Sequence, residues 1–400
     1  MLTTKKVGQA KNFRLSVRVT AGILILVAVM GFFEAMARVV YAFNEEIREN
    51  PVLSSILQRS LILDPYEMPS ANGQYHWVLR PGYKANPKEL ISQKKRAGRD
   101  HGASILQADN TTQVDDNIFE FGINADGFKG PDLDKNHAYP RILALGDSTT
   151  FGHGHFDYPR RLESGLKERG ISIEVVNGGV EGYSPRNTLY EIERYKALKP
   201  EFVTLYIGWN SLFSNVPWND SLENRLRAVW LFRHARRTLR ALMGDQKAYA
   251  VKMYNRVLKP DPNTDKVKAL ETYKPPDMVR IERIIDEFES IGTRVILVTL
   301  PGLFTMRDTP SSRSLKIGHL PYFTENPYVL AKLAERYNAA LRTLAERRGL
   351  DIIDLEKWSH QALQPRDAFF SDSVHLTAKG LEMIGTFMAD QFESRLLLTP

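Results

Sequence analysis

The sequence predicts an α/β fold built on a parallel sheet with helices on both faces, preceded by a helix that crosses a membrane. Three observations carry this. From Arg141 onward, short apolar runs alternate with helix-like stretches. The runs are largely continuous in apolar residues rather than apolar at every second residue, as strands buried on both faces require. An uncharged apolar run near the N-terminus follows a basic arm that holds no acid.

The arm, residues 1–18, carries Lys5, Lys6, Lys11, Arg14 and Arg18. The run VTAGILILVAVMGFF, Val19–Phe33, rises only about 22 Å, short of a bilayer core of about 30 Å. A spanning helix over 19–43 therefore continues through Glu34 and Arg38 toward Phe43. These two stand four apart with the acid first, so they can pair, and Arg38 can snorkel to the far interface. The basic arm predicts a cytoplasmic N-terminus, with everything after the helix exported. Two alternatives stand beside the retained anchor. Ala35-Met36-Ala37 reads as a signal-peptide cleavage site, which would release a secreted or periplasmic protein. A buried soluble helix is the other, and five unopposed cations before the run argue against it.

Residues 44–137 mix turn-rich stretches such as RPGYKANP and KKRAGRDHGAS with short apolar segments. They predict an irregular region with short strands and a mobile loop near 90–115. NADGFKGPD, Asn124–Asp132, reads as a tight turn leading into the main domain at 138–395. There the strand signals are RILAL (141–145), ISIEVV (171–176), FVTLYIG (202–208), RVILVTL (294–300) and LDIIDL (350–355). Between them lie YPRRLESGLKERG, SPRNTLYEIERYKALKP, PDMVRIERIIDEFESIG and NPYVLAKLAERYNAALRTLAERRG. The last three open near a proline, and several close on a basic residue and a glycine, as helices do. Open sheets of this kind bind ligands beyond the strand C-termini.

One segment, 212–275, interrupts the alternation. Within it Leu222, Leu226, Val229, Trp230, Leu239 and Met243 form a stripe at helical spacing, and Arg225, Arg233, Arg236, Arg237 and Arg240 fall largely on the other side. It is expected to form a helical cap over the site. The basic stretch 222–260 has anionic lipid or an acidic polysaccharide as its expected partner.

Charge excludes one broad class. The net charge is +7, yet 222–260 holds ten Lys or Arg against Glu223 and Asp245, so outside this stretch and the N-terminal arm the chain is net negative. A general nucleic-acid binder does not look like this. With no cysteine, disulfides, thiolate metal sites and cysteine nucleophiles are excluded.

Four stretches carry candidate chemistry, and each follows a strand signal or closes the same face. RILALGDSTTFGHG places Ser148 between a buried strand and a helix start, where free backbone N–H groups gather. A serine N-cap explains such a residue equally well. FFSDSVHLTAKG, Phe369–Gly380, sets Asp372 three residues before His375, so one loop can supply a base and the carboxylate that fixes its tautomer. NGGVEGYSP, Asn177–Pro185, follows the second strand signal, and its glycines allow a backbone N–H close to a ligand. GWNS, Gly208–Ser211, follows the third, with Asn210 able to aim its amide at the same place.

In that order the four stretches resemble the SGNH, or GDSL-type, hydrolase superfamily over roughly residues 138–395. The resemblance implies a flavodoxin-like three-layer α/β/α sandwich. It identifies Ser148 as the nucleophile, His375 as the base and Asp372 as its partner. It also implies an oxyanion hole made by the N–H groups of Ser148 and Gly179 and the amide of Asn210. The family usually has Asp after the third-block Asn, where Ser211 stands here. The membrane helix and the NADGFKG segment look like those of envelope-associated members.

No cofactor and no metal are expected. His153 and His155 stand two apart and read as loop or substrate-contact residues. GDSTTFGHG lacks the Lys-Ser or Lys-Thr of a phosphate loop. The expected activity is an extracytoplasmic serine esterase that removes O-acyl groups, above all O-acetyl, from an envelope or exported polysaccharide. An acyltransferase using the same residues on a glycan, and a non-catalytic envelope assembly or glycan-binding protein, are the alternatives.

Overall fold

The computed structural model describes residues 3–42, 66–70, 76–86, 121–215, 217, 226–229, 231–232, 236 and 256–396. They belong to two units, one comprising Met1–Ile62, Ala71–Tyr75 and Trp218–Asp245, the other Leu63–Ser70, His76–Pro217 and Gln246–Pro400. The expected loop near 90–115 and most of the basic segment 222–260 lie outside the described residues.

In the first unit, α1 runs from Thr3 to Ala42. Its stretch Thr20–Val40, 21 residues and about 31 Å, is long and apolar enough to cross a membrane. Glu34 and Arg38 pair at 2.9 Å, as their spacing predicts. The Glu34 carboxylate also accepts the backbone N–H groups of Arg227 and Ala228, each at 2.9 Å. An acid within an apolar stretch is thereby satisfied by the free N–H groups at the start of a helical turn, 227–229. Ala37, one turn along the same face, is fully buried.

The second unit opens with two small antiparallel pairs, β1 (Glu67–Pro69) with β2 (Trp77–Leu79) and β3 (Lys84–Ala85) with β4 (Phe121–Gly122). The main sheet follows: β5 (Arg141–Gly146), α2 (Ser148–Phe151), α3 (Tyr158–Glu168), β6 (Glu174–Gly179), α4 (Pro185–Tyr190), α5 (Ile192–Lys196), β7 (Phe202–Tyr206), α6 (Trp209–Ser214), α7 (Met278–Glu289), β8 (Arg294–Val298), α8 (Pro327–Arg348), β9 (Asp351–Ile353) and α9 (Ala378–Leu396). The five strands are all parallel, in the order β6-β5-β7-β8-β9. The chain moves one way from β5 to β6 and the other way afterwards. With right-handed crossovers this reversal puts α3 on one face and α4, α5, α7 and α8 on the other. The result is the expected three-layer α/β/α sandwich, and its switch point lies between β5 and β7, which is where such folds bind ligands.

Sequence explains the packing. Strands β5 and β7 are buried along their whole length. Helix α3 starts at the Asp157 N-cap with Pro159 in its first turn, and α8 starts at the Asn326 cap and ends at Gly349 in the left-handed conformation. Helices α3 and α9 approach closely where Gly165 meets Ala389 and Gly385 meets Arg161: a β-carbon on Gly385 would lie 2.5 Å from that of Arg161.

Two elements differ from expectation. The stretch SPRNTLYEIERYK forms two helices, not one, because the chain turns at Glu191. There the buried carboxylate takes the Ser70 hydroxyl at 2.9 Å and lies 2.7 Å from His76 Nε2. The second strand starts at Glu174, three residues later than the sequence signal, and runs on through NGG to Gly179. It does so because it stays in register with β5 to the end, Gly146 opposite Gly179.

Candidate active site

The nucleophile candidate is positioned by glycines beneath it and a cap beside it. Strand β5 ends at Gly146, where a β-carbon would lie 2.0 Å from the Thr150 hydroxyl. Only glycine lets the short helix α2 sit this low on the sheet. Asp147 caps α2, accepting the Thr149 backbone N–H at 2.9 Å and its hydroxyl at 2.8 Å. The cap is Asp147, so Ser148 is free of that duty and is the first helical residue.

His375 reaches the serine from the far end of the chain. Its Nε2 lies 2.7 Å from Ser148 Oγ and its Nδ1 lies 2.7 Å from Asp372 Oδ2. With Nδ1–H donated to the carboxylate, Nε2 is the acceptor for the serine proton. Asp372 is 1% exposed. Its other oxygen accepts the backbone N–H groups of Val374 and His375, each at 2.8 Å, so the Asp-x-x-His loop fixes its own carboxylate. Ser371 closes the loop by donating its backbone N–H to the His375 carbonyl at 2.9 Å. Burial alone opposes charge on the imidazole, but the Asp372 carboxylate outweighs it and holds the His375 pKa above its ordinary 6.5. Burial likewise opposes charge on Asp372, and His375 with His319 overcomes it, so Asp372 stays ionised well below the usual carboxylate range.

The expected oxyanion donors divide. Asn210 stands in the first turn of α6, and one hydrogen of its amide goes to the Tyr183 carbonyl at 2.9 Å. This ties the side chain to the loop after β6 without an acid at 211, where Ser211 is buried. The turn before it depends on Gly208, at φ 154°, where a β-carbon would lie 2.4 Å from the Tyr337 ring. Tyr337 donates its hydroxyl to the Ile207 carbonyl at 2.8 Å. Gly179 makes contacts of another kind. Its N–H donates to the Asn177 side chain at 3.0 Å, and its α-carbon lies so near α2 that a β-carbon would meet the Phe151 nitrogen at 2.3 Å. Gly179 is thus a packing glycine within the strand. Three residues on, Gly182 (φ 81°) stands in the loop beyond the strand, and among the described residues no acceptor for its N–H is found.

The loop Glu181-Gly182-Tyr183 is held by the small N-terminal strands. Trp77 donates its indole N–H to the Glu181 carbonyl at 3.0 Å, and its ring lies against Gly182. The Tyr66 hydroxyl donates to the Glu181 carboxylate, and the Tyr183 hydroxyl to the Trp77 carbonyl. The NADGFKG turn works on the other side. Asn124 takes the N–H groups of Asp126 and Phe128, and the turn delivers Lys129 into the interior. Lys129 Nζ donates to the Phe151 carbonyl at 2.6 Å, at the end of the nucleophile helix, and lies 3.2 Å from Asp157. Both side chains of the pair are 2% exposed. Lys129→Ala is expected to cost about 3–5 kcal/mol, because it strands a buried carboxylate. A urea denaturation midpoint checks this, and Lys129→Met with Asp157→Asn is expected to recover most of the loss.

His153 lies at the rim, its ring 5.6 Å from that of His375. Among the described residues no group of His, Asp and Glu is arranged to hold a metal.

No curated protein matches the chain. Among solved structures, an acetylxylan esterase from Geobacillus stearothermophilus is 17% identical, with 64% of this chain and 93% of that chain covered and a TM-score of 0.39. A lipase/acylhydrolase from Enterococcus faecalis is 17% identical over 64% of this chain and 96% of its own, with a TM-score of 0.36. The model of the GDSL-like lipase/acylhydrolase family matches residues 144–383, from the middle of β5 into α9. The chain belongs to the GDSL-like lipase/acylhydrolase family, whose members act on ester bonds.

Proposed function

We propose that this chain is a membrane-anchored serine esterase that works outside the cytoplasm and removes O-acyl groups, above all O-acetyl, from an envelope or exported polysaccharide. The observation that carries the reading is the unbroken relay Ser148–His375–Asp372, with both links at 2.7 Å. Ser148 Oγ attacks the ester carbonyl and its proton passes to His375 Nε2. When the tetrahedral intermediate collapses, the bond to the leaving alkoxide breaks and His375 returns the proton to it. Water then attacks the acyl-enzyme, gives its proton to the same nitrogen, and the second collapse frees the acid and restores Ser148.

We assign the oxyanion donors as the N–H of Ser148, the second amide hydrogen of Asn210 and the N–H of Gly182, in place of Gly179. Asn210 bonds the carbonyl of Tyr183, the residue after Gly182, which ties the two loops together. The anchor rests on the length and composition of α1 and on the basic arm before it. Alkaline carbonate extraction tests it: the intact chain is expected in the membrane pellet, whereas a soluble form starting after Ala37 would show a cleaved signal.

The activity is tested by acetate release from p-nitrophenyl acetate and from an acetylated polysaccharide, using the full chain in detergent. Release that depends on Ser148 supports the esterase. Acyl groups appearing on added sugar hydroxyls, with little free acetate, would replace it by the transferase. The pH profile adds a second check. The neutral imidazole is the base, so activity is present above the His375 pKa and lost as the pH falls through it. Because that pKa is raised, the acid limb of kcat/KM is expected above pH 6.5, and Asp372→Asn should move it down while slowing turnover.

A further inference from the structure

His319 is a buried histidine that the ester chemistry does not use. It is 5% exposed, and its backbone is clipped to the triad loop at both ends. Its N–H donates to Ser373 Oγ at 2.9 Å, and the Ser373 hydroxyl donates to its carbonyl. Ser373 is the residue next to Asp372, so the loop carrying His319 and the loop carrying the carboxylate are held together. The His319 ring is nearly parallel to that of His375, at 6.5 Å and 12°. Its Nδ1 lies 3.7 Å from Asp372 Oδ2, the oxygen that also takes the His375 proton. Phe213 packs on the His319 ring at 4.9 Å. A carboxylate removed from water thus faces two imidazoles.

A second imidazole this near draws on the charge that Asp372 offers the first, and burial makes the effect larger than it would be in water. We propose that His319 is a positioning residue that shares the Asp372 carboxylate with His375 and so sets the basicity of the catalytic imidazole. The inference rests on the reading of Ser148, His375 and Asp372 as the triad. A neutral His319 leaves Asp372 mostly to His375. Protonated, it competes for the carboxylate and weakens the base. Besides Asp372, the charged groups acting on His375 include Asp147 and Glu181, with His153 beside its ring; those facing His319 include Asp372 and His375.

The test is the pH dependence of kcat and KM for p-nitrophenyl acetate, using the full chain, His319→Phe and His319→Asn, with Ser148→Ala as control. In His319→Phe the whole carboxylate charge falls on His375, so the acid limb of kcat/KM is expected to rise by about half a pH unit or more. Its kcat should fall about 3- to 30-fold as Asp372 loses a partner, with KM changed less than about twofold. His319→Asn, which keeps a polar group near the carboxylate, should fall between the two and decides the matter by the same limb if the Phe variant does not fold. An acid limb that coincides with wild type in a folded variant overturns the proposal, whatever happens to stability. Hydrolysis that survives Ser148→Ala overturns the triad reading instead.

Discussion

Ser148→Ala is expected to lower kcat/KM for ester hydrolysis by about 10⁴-fold or more, leaving only what binding and the oxyanion donors supply. The fold should be untouched, since Asp147 and not Ser148 caps α2 and the hydroxyl leaves a partly exposed site. His375→Ala should cost about as much, and the double variant little more, because the two act as one unit in removing and returning a single proton. Steady-state rates on p-nitrophenyl acetate, corrected for spontaneous hydrolysis, check all three. Losses that multiplied in the double variant would mean that Ser148 and His375 act independently, which a 2.7 Å relay does not allow.

Asn210→Ala is expected to lower kcat by about 10²- to 10³-fold with KM changed little, the signature of a donor that engages only the developing oxyanion. The amide has two hydrogens, and the one bonded to Tyr183 fixes the direction of the other. Asn210→Asp separates the two roles. It keeps the size of the side chain but offers a charge of the wrong sign to the oxyanion, so it should be at least as slow as alanine. If either variant instead raised KM and spared kcat, Asn210 would be a substrate-binding residue and not an oxyanion donor.

The proposed triad was legible in the sequence because each member stands in a local pattern. Ser148 follows a strand with the continuous apolar run Ile142–Leu145, and Asp372 and His375 share one short loop. The sheet was legible for the same reason, its central strands carrying nearly continuous apolar runs. The glycine we propose as an oxyanion donor was not. A backbone donor is defined by where a strand stops, and β6 runs three residues past its apolar stretch because Gly178 and Gly179 pack beneath Leu145 and α2. Nor were Lys129, Tyr337 and His319 legible. Each acts on a residue far along the chain, Phe151, Ile207 and Asp372 respectively, and such a contact leaves no periodicity. The break at Glu191 belongs with them, since the partners of its side chain there, Ser70 and His76, stand more than a hundred residues earlier.

The NADGFKG turn shows how a motif outside the catalytic blocks serves them. Its Asn124 closes the turn and its Lys129 crosses to the end of the nucleophile helix, while Trp77 and Tyr66 hold the loop that carries Gly182. The region ahead of the sheet therefore supports the site from two sides.

The claim that Ser148 is an activated nucleophile is tested most directly by covalent labelling with a fluorophosphonate, which transfers its phosphonyl group to a serine oxygen with loss of fluoride. The full chain is expected to take up one label per molecule, mapped by peptide mass spectrometry to Ser148 and slowed strongly in His375→Ala. A folded protein that took no label, or carried it at another residue, would contradict the account.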